Sequence, residues 1–178
     1  YVLNPPAGTN LHREMVEIFD SMIDKKIIKL PGEKWIEEHV FSYYIIHCAN
    51  MGYTGKIKAF VEKYHDSINP EVYENMKIEI SCLLCFLNKN FTEAMKHLNE
   101  LEFKNIGKKL LSKSMKVKLL YEMNDYESFV YERDAYSHFL NNNKGQIDLR
   151  GVSENRTKKT RKTLDIINGL FQLKNDFA

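Results

Sequence analysis

Glycine and proline are scarce in this chain, at eight and four residues of 178. With so few turn-formers, and with β-branched residues that never gather into alternating runs, helices are expected to dominate. Cysteine is scarcer still, at three. An odd number in a chain long enough to bury roughly 70% of its unfolded surface argues against a disulfide framework and fits a reducing compartment, so a cytoplasmic location is the expectation. No apolar run approaches the roughly 20 residues that cross a bilayer. One sign of charge does not prevail either: the net charge is +2 and the pI near 8.3, which by itself implies neither a nucleic acid nor a membrane partner. The chain opens at Tyr1 without a methionine. Upstream residues are expected to be missing, and a lost signal or another N-terminal domain stays open.

What is present is helical periodicity. At 43% hydrophobic and 28% charged, the composition is that of a globular domain. Residues 1–10, with a Pro-Pro pair and a glycine, read as an extended lead-in or linker, and 11–178 as a single helical domain. Leu11, Met15, Ile18, Phe19, Met22 and Ile23 form a first stripe that ends before Pro31-Gly32. A second helix is expected from about Glu33 to Asn50, with Ile36, Val40, Tyr43, Tyr44, His47, Cys48 and Met51 on its apolar face. A third carries Ile57, Phe60, Val61 and Tyr64, and Pro70 suits the first turn of a fourth. Met76, Ile80, Leu83, Leu84 and Leu87 then fall on one helical stripe, Asn88-Lys89-Asn90 breaks it, and Phe91, Ala94, Met95, Leu98 and Leu101 form a second. Two such stripes so close in sequence predict an αα-hairpin. Two more helices follow before a polar loop at 141–151, and a last helix is expected at about 153–173, giving about eight in all.

The turns also repeat. Gly52-Tyr53-Thr54, Asn90-Phe91-Thr92 and Asp125-Tyr126-Glu127 each place an aromatic after a turn residue, 38 and 35 residues apart. Helix pairs are therefore expected at about 33–69, 70–104 and 105–143. Asn90-Phe91-Thr92-Glu93-Ala94 followed by Leu98 resembles the turn and second-helix start of a tetratricopeptide repeat, where a small residue, here Ala94, lets neighbouring helices approach. The other pairs depart from that pattern, with Phe129 at the small-residue position of the third and Lys56 or Ile57 in the first. From about Val40 to Leu173 the chain is also similar to uncharacterised bacterial proteins with degenerate repeats of this kind. The resemblance implies an all-α fold of antiparallel helix pairs stacked as a short right-handed α-solenoid. It brings no activity, so no catalytic residue is carried over.

Candidate chemistry is sparse. Cys82 and Cys85 form a C-x-x-C, but as Cys-Leu-Leu-Cys inside a helical stripe, with no second pair and no glycine or proline knuckle. They read as core packing, and a metal site with His47 and Cys48 is the lesser alternative. The other histidines are scattered without paired spacing, and phosphate-loop, dinucleotide and nucleophile-elbow motifs do not occur. No catalytic role, metal or cofactor is expected.

Two surfaces remain. Tyr43, Tyr44 and Tyr73 are candidates for the lining of a partner groove, since repeat arrays recognise peptides along a concave face. Arg156, Lys158, Lys159, Arg161 and Lys162 crowd the start of the last helix, where positive charge opposes the helix dipole; diluted by Asp148 and Glu154 they read first as a solvated face, and the alternative is a site for phosphate or an acidic segment. The expected function is a non-catalytic protein or peptide-binding scaffold. The alternative is a nucleic-acid or phosphate binder using 156–162.

Overall fold

The computed structural model describes residues 11–102, 106–143 and 154–176. Among them 82% are helical and none is in a strand, so the fold is all-α. The helices are α1 (Leu11–Asp24), α2 (Glu38–Asn50), α3 (Thr54–Tyr64), a 3-10 turn (His65–Ser67), α4 (Pro70–Leu87), α5 (Phe91–Glu100), α6 (Ile106–Glu122), α7 (Tyr126–Asn142) and α8 (Glu154–Asp176). The expected lead-in and most of the polar loop at 141–151 lie outside the described residues. Within the stretch read as one domain, the chain gathers into two compact units, residues 1–89 and 90–178. The division falls inside the pair expected at 70–104, and each unit has its own buried cluster.

In the first unit α2 is the central element, packed on α1, α3 and α4. Its buried residues are Phe41, Tyr44, Ile45 and Cys48, spaced i, i+3, i+4 and i+7. This corrects the expected stripe by rotating it: Tyr43 is exposed, and Phe41 and Ile45 take inward places. A helix covered by several neighbours is apolar most of the way round, which blurs the periodicity that would orient it. α2 also starts five residues later than expected. Ile36 is held in the 25–37 connection by its amide, which donates to the Ser67 carbonyl at 2.7 Å, and its side chain is 3% exposed. Glu37 is extended, at φ −64° and ψ 136°, so helical geometry begins only at Glu38.

In the second unit α6 packs on α5, α7 and α8, and α7 also meets α8. The α7 stripe Phe129, Tyr136 and Leu140 and the α8 residues Leu164 and Phe171 are buried with Leu110, Val117 and Leu120 of α6. Phe171 is fully buried, with ring centroids of Phe129, Tyr121 and Tyr126 at 4.8, 4.9 and 5.4 Å. Aromatic pairs at such distances add about 0.5–1.5 kcal/mol each beyond burial. The Tyr136 hydroxyl donates to the Leu110 carbonyl at 3.2 Å, which keeps its one polar atom satisfied.

Three helix starts share a backbone pattern. The fourth residue in is Ile57 in α3, Ala94 in α5 and Phe129 in α7, and each is 0% exposed. Each also donates its amide to the carbonyl of the residue before the helix, Tyr53, Asn90 and Asp125, at 3.2, 3.0 and 3.0 Å. By this register Phe91 and Tyr126 are first helical residues, whereas Tyr53 precedes its helix by one. The aromatics are therefore equivalent in two turns and displaced in the third. The preceding helices end alike too. Left-handed residues Gly52 and Asn124 close α2 and α6, with paired amide bonds three and five residues back, and Lys26 closes α1 the same way.

Candidate functional site

A cleft of about 280 Å³ lies within the second unit, lined by Leu98 and Asn99 of α5, Lys109, Ser112, Lys113 and Lys116 of α6, and Glu132 of α7. Its floor follows from two sequence patterns. The α6 residues fall at i, i+3, i+4 and i+7, so they form one polar stripe beside the apolar residues Leu110, Val117 and Leu120. On α7, Glu132 occupies a core register, three residues after Phe129 and four before Tyr136, and is only 5% exposed.

A lone carboxylate buried there would be strongly disfavoured. Lys113 Nζ stands 2.9 Å from one of its oxygens and Lys116 Nζ 3.0 Å from the other, which satisfies both. Burial pushes the Glu132 carboxyl up, but the hydrogen bonds and positive charges of the two lysines more than offset it and hold the group below its ordinary value. Glu132 is thus ionised at neutral pH. An ammonium has three N–H donors, so each lysine retains donors beyond the bond to Glu132. Lys109 adds a third positive charge, exposed at the rim. With three ammoniums facing one carboxylate, the cleft carries excess positive charge in a partly desolvated setting. That chemistry attracts an anion.

The first unit holds a second polar cluster. Asp20 of α1 accepts a hydrogen bond from the Tyr44 hydroxyl of α2 at 2.9 Å and pairs with Lys56 of α3. His12 of α1 and His47 of α2 meet through their Nδ1 atoms at 2.8 Å. Burial, then the bond to Asp20, pushes the Tyr44 hydroxyl up, and burial does the same to the Cys48 thiol. The Asp20 bond raises Lys56. Tyr44 and Cys48 therefore stay protonated at neutral pH, and the cluster ties three helices together.

The residues singled out from sequence are not gathered into one site. Tyr43 is 39% exposed, whereas Tyr44, expected to line a groove, is 3% exposed and bonded to Asp20, which removes it from any ligand-facing surface. Tyr73 is half-buried against the first core cluster, 6.0 Å from the His65 ring. On α8, Lys158, Arg161 and Lys162 are exposed, and Arg161 donates to Asn141. The side chains of Arg156 and Lys159 lie outside the described ones. All three cysteines are free, with Cys48 and Cys82 buried and Cys85 half-buried, and burial pushes the Cys82 thiol up to about 11. Among the described residues no group of three or more His, Cys, Asp or Glu is placed to hold a metal, and no helix is long and apolar enough to cross a membrane. The sequence reading missed the α6 stripe and Glu132. The signals were an acid in an apolar register and lysines at i, i+4 and i+7. No family model, curated protein or solved structure matches this chain.

Proposed function

We propose that the chain is a non-catalytic, tetratricopeptide-like helical-repeat module that binds an acidic segment of a protein partner in the cleft between α5, α6 and α7. The observation that carries this reading is the arrangement of Lys109, Lys113 and Lys116 around a cleft of about 280 Å³ with one buried carboxylate as counter-charge. Glu132 fixes the two inner ammoniums in place before a ligand arrives, which lowers the ordering cost of binding. Lys109 supplies rim charge that steers an anionic peptide toward the cleft. The common burial of Ile57, Ala94 and Phe129 at the fourth position of α3, α5 and α7 supports the repeat reading. Three free cysteines support a reducing compartment, the cytoplasm.

The test is fluorescence anisotropy with a labelled Asp/Glu-rich peptide, a neutral peptide of equal length and a single-stranded oligonucleotide. Saturable binding of the acidic peptide, weakening as salt rises, is expected, with a loss of about tenfold in Lys109→Glu. Equal binding of the acidic and neutral peptides, or an unchanged affinity in Lys109→Glu, refutes the cleft. Oligonucleotide binding that survives Lys109→Glu but disappears when Lys158, Arg161 and Lys162 are reversed to Glu would instead assign function to the basic start of α8.

A further inference from the structure

We propose that the His12–His47 contact is a pH-operated latch that releases the N-terminal half of α1 from α2 as the medium turns weakly acidic. The contact joins the two Nδ1 atoms at 2.8 Å, with ring centroids 4.9 Å apart and planes inclined by 50°. Such a bond needs one nitrogen to donate and the other to accept, so it exists only while at least one ring is neutral. With both rings protonated neither Nδ1 accepts, and two cations face each other at hydrogen-bond distance.

The surrounding groups make this contact the labile one. On α1, Asp20 stands two turns from His12 and is engaged by Tyr44 and Lys56, while Arg13, Glu14 and Glu17 are exposed. From α2, Tyr44 and Cys48 are held neutral by burial, and Glu38 and His39 lie at its far end. α3 contributes Lys56, already paired with Asp20. No charged group of α4 bears on His47 among the described residues, whose pKa is lowered from 6.5 by burial and by His12. A histidine that binds its proton more weakly folded than unfolded contributes stability that is complete above 6.5 and is lost as pH falls from there through the lower folded pKa. The Asp20 anchor involves no imidazole. α1 is thus pinned at two points, of which only the His12–His47 contact depends on imidazole protonation. Its release would uncover Val16, the buried residue of that half of α1, which is 2% exposed.

Hydrogen exchange on the full chain at about pH 7.5 and about pH 5.5, corrected for intrinsic rates, tests the latch. Protection in the second turn of α1, from Met15 on, is expected to fall at least about tenfold at the lower pH, while α6 and α7 keep theirs. His12→Asn, whose amide hydrogen-bonds without titrating, is expected to reduce the pH dependence to the part that burial of His47 alone supplies. Equal wild-type protection at both values, or an unchanged drop in His12→Asn, overturns the proposal. Nitrogen-15 chemical shifts give a reading independent of the variant's folding. Coupled titration of the two rings supports the latch, and two independent titrations at ordinary values overturn it.

Discussion

Glu132→Gln keeps the shape of the side chain and removes only its charge, so it isolates what the carboxylate does for the second unit. Both oxygens accept from lysines, at 2.9 and 3.0 Å, and the side chain is 6% exposed. The glutamine retains one carbonyl acceptor and presents an amide NH₂, itself a donor, to the second ammonium. One charge-assisted bond is therefore lost and the other weakened. Hydrogen bonds to charged groups contribute about 1.5–3 kcal/mol. Lys113 and Lys116 are 27% and 39% exposed, so both can turn toward water and recover part of that. A net loss of about 2 kcal/mol follows. For a chain of this length the corresponding fall in Tm is about 4–8 °C at neutral pH. The sign of the pH dependence is fixed as well. Because the folded carboxyl titrates below its ordinary 4.5, its contribution is complete above that value and disappears as pH falls through the folded pKa. Differential scanning calorimetry of wild type and variant between about pH 7 and about pH 3 should show a gap that closes on the acid side. An equal Tm at neutral pH, or a gap of constant size down to the acid limit, would refute the account of the lysine–glutamate triad.

Two further changes probe the helix starts and ends. Ala94 is 0% exposed at the fourth position of α5, so Ala94→Phe is expected to overpack it and destabilise the protein by about 1–3 kcal/mol in urea denaturation; an unchanged midpoint would count against the repeat register. Gly52 closes α2 at φ +69° with open space where a Cβ would lie, so Gly52→Ala should lower stability by about 1–2 kcal/mol through backbone strain alone. The same assay checks it, and a neutral result would mean that the turn relaxes out of the left-handed region.

Local signals were the legible ones. Pro70 at the start of α4, the break at Asn88-Lys89-Asn90, and the inward places of Ala94 and Leu98 rest on capping rules and periodicity within one helix, and the structure has them where the pattern put them. Contacts between distant residues were not legible. Ile36 meets the Ser67 carbonyl from 31 positions away, and that bond delays α2. Glu132 finds Lys113 across 19 positions, and His12 finds His47 across 35. A lysine stripe on a helix also reads as a solvated face until a neighbouring helix brings a carboxylate to it. Tyr43 was placed on the inward face for a related reason: α2 has neighbours on several sides, so its apolar residues gave no single direction.

The passage from one compact unit to the other at Lys89 and Asn90 separates two kinds of boundary. A gene duplicating a helix pair would cut at about 69 or 104, yet a break after 69 parts Met76 and Ile80 from the buried cluster that includes Phe41 and Phe60. A break after Lys89 leaves each buried cluster intact on its own segment. The spacing of helix pairs and the integrity of packing therefore run out of phase along this chain, and inserting or removing a pair at those bounds would have to rebuild a core as well as add or lose one.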